Sequence, residues 1–131
     1  MSNYSLILSE HVSQATKIKV WELCVDKESI LESFVKQVMD EGTYSNDLAG
    51  AIRYVELAAD LRMLPKTRFR EIKDQDINGK LFEAKKGSIR IYHFHETGTG
   101  RIIVLGGFKN NQTKDIKAAV KRIKDFQDEK Q

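Results

Sequence analysis

The residues best suited to chemistry in this chain gather in its second half, between positions 80 and 121. His93-Phe94-His95 stands in a run of strand-like composition, where period-two alternation sets both imidazoles on one face. Two histidines so spaced suit a metal ion, proton transfer or an RNA contact, and they equally suit the plain outer surface of a sheet. A metal needs a third ligand, and none stands at short range in the sequence, so no metal site is assigned to them. Around this pair lie the cations Lys80, Lys85, Lys86, Arg90 and Lys109, with the carboxylate of Glu83 among them. Arg90 alternates in step with Tyr92 and Phe94, so its guanidinium either snorkels from a sheet edge or is held in a cleft for an anion. Fixed guanidinium and ammonium groups hold a phosphodiester in line and neutralise charge on its oxygens. Glu83, His93 and His95 are the candidates for moving a proton beside it. Taken alone, the set supports binding of RNA or DNA. Gly98, Gly100, Gly106 and Gly107 do not form a phosphate-binding loop leading into a helix and read as hairpin-turn and strand-end glycines.

These side chains need strands to carry them. Residues 81–85, 89–96 and 101–108 are short runs rich in β-branched and aromatic residues, separated by Gly87-Ser88 and Thr97-Gly98-Thr99-Gly100, so they are expected to pair antiparallel. The third run is apolar at both parities, which calls for cover on both faces of the sheet. A helix beginning at Thr113 can supply one cover through Ile116, Ala119, Val120, Ile123 and Phe126. Lys114, Lys117, Lys121 and Lys124 then share an arc of about 80° on its far side, either a solvated face or a track for phosphates. Upstream, Ile30 to Met39 recur at helical spacing, with Asp26 as expected cap and Gly42 as terminator. A second helix is expected from Ser45 or Asn46 to a point before Pro65, closing an antiparallel helical hairpin. The fold expected is α+β: an antiparallel sheet with an N-terminal helical hairpin and a C-terminal helix, in one domain spanning residues 1–131.

Composition narrows the setting. With 131 residues, 40% hydrophobic and 31% charged, the chain is one domain long and globular in character. No apolar run approaches the roughly 20 residues that cross a bilayer, and Met1 to Glu10 lack the features of a secretory signal. The single cysteine, Cys24, reads as a small core or strand residue. A cytoplasmic protein with no membrane partner is expected. Residues 1–60 carry five Lys/Arg against ten Asp/Glu, whereas residues 61–125 carry sixteen against seven. A basic half of this kind fits a polyanionic partner or, more plainly, a solvated basic surface.

The stretch Gly79-Lys-Leu-Phe-Glu-Ala-Lys-Lys-Gly-Ser-Ile-Arg-Ile-Tyr-His-Phe, followed by Arg101-Ile-Ile-Val-Leu-Gly-Gly-Phe-Lys109 and then Gln112-Thr-Lys with Ala119 and Arg122, resembles the phage-derived HigB-type toxins of the RelE superfamily. The resemblance covers about residues 79–126; the helical hairpin matches in kind, and residues 1–16 stand as a possible N-terminal extension. It implies a RelE-like fold and a toxin of a toxin–antitoxin pair, an mRNA interferase that cleaves messenger RNA on the ribosome with no metal or other cofactor. It also implies a protein antitoxin of helix-turn-helix type. Lys85, Arg90 and Lys109 fall on the family's catalytic cations. Lys80, Lys86, Lys114, Lys117 and Lys121 are the candidate RNA contacts, and Glu83, His93 and His95 the candidate acids or bases. Ile89 stands where the family carries a tyrosine, Asn110-Asn111 replace part of a basic run, and no tyrosine follows Tyr92. A non-catalytic or gyrase-directed member of the same fold, binding nucleic acid or a partner protein, is the alternative.

The charge asymmetry makes RNA affinity salt-dependent. For about four phosphate contacts, raising salt from roughly 50 to 200 mM should weaken single-stranded RNA binding by more than about tenfold. A dissociation constant that stays flat across that range in a fluorescence-anisotropy titration would remove the basic surface from the account.

Overall fold

Six consecutive residues, Ile89 to Phe94, are buried at both parities of one strand, which places that strand inside the sheet with cover on each side. The computed structural model describes residues 3–129. Its elements run β1 (Tyr4–Leu8), β2 (Val20–Val25), β3 (Glu28–Ser29), α1 (Ile30–Glu41), α2 (Ser45–Ala59), β4 (Phe69–Ile72), β5 (Lys80–Lys86), β6 (Ile89–Glu96), β7 (Gly100–Phe108) and α3 (Gln112–Glu129), with a 3-10 turn at Lys109–Asn111 before α3. The sheet has seven strands in the order β1-β2-β7-β6-β5-β4, with β3 paired to β2.

Each face has its own core. Leu31, Phe34 and Val38 of α1 and Leu48, Ile52 and Val55 of α2 pack on Ala84, Ile89, Ile91 and Ile103. On the other face, Ala119, Ile123 and Phe126 of α3 pack on Leu81, Tyr92, Phe94, Ile102 and Val104. The C-terminal helix thus covers the face that the doubly apolar strand requires, and Lys114, Lys117 and Lys121 stay exposed on its outer side.

Several expectations change. The helical hairpin is real but not N-terminal, because three strands precede it. Tyr4–Leu8 alternate between half-buried and exposed, the pattern of an edge strand, and β1 pairs antiparallel with β2. The sheet is mixed: β2 lies parallel to β7, with Val20 opposite Arg101 and Glu22 opposite Ile103. Helix α1 is capped by Ser29, whose hydroxyl accepts the Glu32 amide, while Asp26 and Lys27 form the positive-φ turn between β2 and β3. Helix α2 keeps to expectation, starting at Ser45 and ending at Ala59, before Pro65. Leu61 takes the left-handed conformation, its amide donates to the Ala58 carbonyl, and the Arg62 amide donates to the Leu57 carbonyl. Strand β4 has no counterpart among the expected strands, being a four-residue edge with two charged side chains.

Strand β7 passes so closely under α1 that a Cβ on Gly106 would overlap the ring of Phe34, itself packed edge-on against Phe108 at 5.6 Å. Gly106→Ala should therefore cost about 1–3 kcal/mol of stability by lifting the helical hairpin from the sheet. Urea unfolding of the variant beside the parent checks this, and an unchanged midpoint would show that α1 yields freely.

Candidate active site

The sheet face under α3 carries a charged corner. Strand parity puts Leu81, Glu83 and Lys85 of β5 on this face, and the register sets Tyr92 opposite Glu83 and Arg90 opposite Lys85. Glu83 is fully buried, and its two oxygens have separate partners. Arg70 Nε of β4 donates to Oε1 at 2.9 Å, and Gln112 Nε2, from the first residue of α3, donates to Oε2 at 2.7 Å. Such a carboxylate stays buried because it is ion-paired and hydrogen-bonded. The Tyr92 hydroxyl lies in the same interior without completing a hydrogen bond; burial first, then the charge of Glu83, pushes its phenol upward.

The cations differ in their roles. Lys85 is half-buried, and desolvation lowers its ammonium below the ordinary lysine range, Glu83 opposing that shift while Arg70 and Arg90 add to it. Arg90 is 7% exposed, and its Nη1 donates to the carbonyls of Gly87 at 2.8 Å and Ile89 at 3.0 Å, so the guanidinium braces the β5–β6 turn. Asp115 of α3 fills the space that a side chain on Gly107 would take, and burial raises its carboxyl. Gly107 stands opposite Arg90 in the register of β6 and β7.

Beside the corner, the turn at Lys109–Asn111 separates two open depressions. One, of about 560 Å³, is lined by Tyr44, Ser88, Phe108, Lys109, Asn110 and Asn111. The other, of about 530 Å³, runs along Lys109, Gln112, Thr113, Lys114 and Lys117. Tyr44 and Phe108 meet edge-on at 5.4 Å, giving the first depression an aromatic wall, and lysines line the second. Gln112 joins the two levels, since it borders the basic depression and bonds Glu83 beneath. Stacking on rings together with a basic track is a general way to hold a single strand.

Lys85, Arg90, Glu83, Lys109, Lys114 and Lys117 therefore belong to one end of the molecule. Lys121 lies farther along α3 and pairs with Asp125 at 3.3 Å. Lys80 and Lys86 sit at opposite parity to Lys85, toward the helical-hairpin face, and the Lys86 stem lies over Gly50 of α2. His93 and His95 also share that hairpin face, away from Glu83. His93 is fully buried against Phe69 and Phe82, and Arg101 lies over the Phe82 ring at 4.8 Å. Arg70, Gln112 and Tyr44 were missed in the sequence reading. Arg70 sits on the strand that was not foreseen, while Gln112 was visible in the Gln-Thr-Lys run, without a role.

Burial, reinforced by Arg101, holds His93 neutral well below the ordinary histidine range, and Arg101 is itself pushed down to about 10 by burial. The unfolded chain then binds a proton that the folded chain refuses as pH falls through about 6.5, so stability declines toward acid by up to about 1.4 kcal/mol per pH unit from this group. His93→Phe should flatten that slope between roughly pH 6.5 and 5, seen by chemical denaturation at successive pH values. A slope unchanged by the substitution would assign the acid sensitivity elsewhere.

No known protein family, no curated protein and no solved structure matches this chain.

Proposed function

We propose that the chain is a RelE-like ribonuclease toxin, a HigB-type protein that cleaves messenger RNA on the ribosome in the cytoplasm and is held in check by a helix-turn-helix antitoxin. The observation that carries this reading is the convergence of Glu83, Lys85, Arg90, Arg70 and Tyr92 on one corner of the sheet, next to the basic and aromatic depressions around Lys109. In the reaction, a 2′-hydroxyl attacks the adjacent phosphorus and gives up its proton. The phosphorus–5′-oxygen bond breaks, and a 2′,3′-cyclic phosphate and a 5′-hydroxyl remain. Glu83 is the proton acceptor. Lys85, its pKa lowered by burial, is suited to return a proton to the leaving oxygen. Arg70 and Arg90 offset charge on the phosphate oxygens, so the step needs no metal. Among the described residues, no helix is long and apolar enough to cross a membrane.

A second reading has its own support: both oxygens of Glu83 are taken by Arg70 and Gln112. A non-catalytic or gyrase-directed binding module of the same fold would keep such a network purely to hold α3 on the sheet.

Cleavage of a defined messenger on purified ribosomes, mapped by primer extension, decides between them. Glu83→Gln should lose about 10²–10⁴ in rate with its RNA affinity retained. Lys85→Ala should lose on the order of 10²–10³ and Lys109→Ala less, each with a thermal melt near the parent. Arg90→Lys keeps a charge for the phosphate but cannot brace both turn carbonyls, so activity and melting temperature should fall together. A parent protein that binds RNA and never cuts it would establish the binding module.

A further inference from the structure

Three side chains from distant parts of the sequence meet on the hairpin side of the sheet, away from Glu83: His11 from the link after β1, Glu22 from the middle of β2, and Glu32 from the first turn of α1. One donor atom from each, an imidazole nitrogen and two carboxylate oxygens, lies within 4.8 Å of the others. His11 Nε2 and Glu32 Oε1 are in direct contact.

Glu22 sets this group apart from a surface ion pair. It is 1% exposed, and among the described residues its carboxylate meets no cation. Its partners are two neutral hydroxyls: Ser9 Oγ donates to Oε2 at 2.7 Å, and Ser29 Oγ donates to Oε1 at 2.5 Å. A buried carboxylate ordinarily has a positive partner or holds a metal ion. Each hydroxyl occupies one lone pair on its oxygen and leaves another for a ligand, and carboxylates that ligate metals are commonly hydrogen-bonded in this way. The same serines tie in the remaining ligands, since the His11 amide donates to Ser9 Oγ at 3.3 Å and the Glu32 amide to Ser29 Oγ at 3.1 Å. Two exposed ligands and one buried one leave a side open to solvent.

The geometry points to a divalent-cation site at His11, Glu22 and Glu32, of the class that binds Zn²⁺, with water completing a tetrahedral shell. One nitrogen and two oxygens are ordinary zinc donors, and bonds near 2.1 Å place tetrahedral donors roughly 3.4 Å apart. The present separations reach that value by small side-chain rotations, His11 and Glu32 parting to admit the ion. Bound there, the ion supplies the positive charge that Glu22 lacks. It fastens the link between β1 and β2 to the N-terminus of α1, a structural clamp independent of the cleavage reaction.

The test is calorimetric titration of Zn²⁺ into the metal-free full chain, with thermal melts with and without the ion. One zinc per chain should bind, and the melting temperature should rise with its concentration. His11→Ala and Glu32→Gln alter exposed residues, so each should fold normally without metal yet lose at least about tenfold in zinc affinity. Ser9→Ala should also weaken binding, by about 10–100-fold through the orientation of Glu22. His95→Ala should leave affinity unchanged. Absence of stoichiometric binding, binding equal in the His11 and Glu32 variants, or binding lost in His95→Ala would each overturn the site.

Discussion

The central constraint is that β6 and β7 are buried on both faces, which forces the chain to supply a separate cover for each. The helical hairpin and α3 answer it, and the polar residues on these strands are enclosed in a three-layer interior. The two faces accommodate them differently. Under α3, Glu83 is held by an arginine and an amide, and Arg90 turns to backbone carbonyls. Under the hairpin, His93 stays neutral and Arg101 lies on aromatic rings. The first solution leaves charged groups arranged around a buried carboxylate. The second leaves a neutral aromatic stack. The proposed phosphate chemistry therefore rests on one face alone.

Much of this was legible in the sequence wherever local pattern and burial agree. Periodicity at Ile30–Met39, the Gly42 stop and the β-branched runs at 89–96 and 101–108 all reappear as elements, because each buries the face its period predicts. The pairing of Arg90 with the Tyr92 and Phe94 face also followed from parity alone. What escaped was set by tertiary partners. Strand β4 exists because Phe69 to Ile72 find β5, and their own composition does not declare a strand. The parallel seating of β7 beside β2 depends on residues some eighty positions apart, which no local window contains. The cap at Ser29 was readable from the Ser-x-x-Glu spacing, yet Asp26 lay nearer the turn and drew the assignment.

The candidate site was legible in its cations and less so in its architecture. Lys85, Arg90 and Glu83 stand in one run of sequence, but their distinct roles come from Arg70, Gln112 and the turn carbonyls, all supplied by other segments. Lys80 and Lys86 belong to the same basic run and are sent to the other face by strand parity. Charge totals cannot register that separation, since alternation divides neighbours that composition counts together.

The parallel contact between β2 and β7 has a consequence for the order of folding. Val20 to Glu22 pair with Arg101 to Ile103, so on that margin the first half of β2 has no sheet partner until residues 101–103 have been made. At ordinary rates of synthesis, roughly 5–20 residues per second, that wait lasts several seconds. In the interval β1 covers one margin and β3 only the Cys24–Val25 end of the other, so the Val20–Glu22 stretch of that margin remains a template for intermolecular pairing. Contacts this distant in sequence also slow closure, because the intervening loop must lose its entropy before β7 docks. A nascent chain caught during this wait is the species most exposed to aggregation. Anything that shelters β2 early raises yield without altering the finished protein.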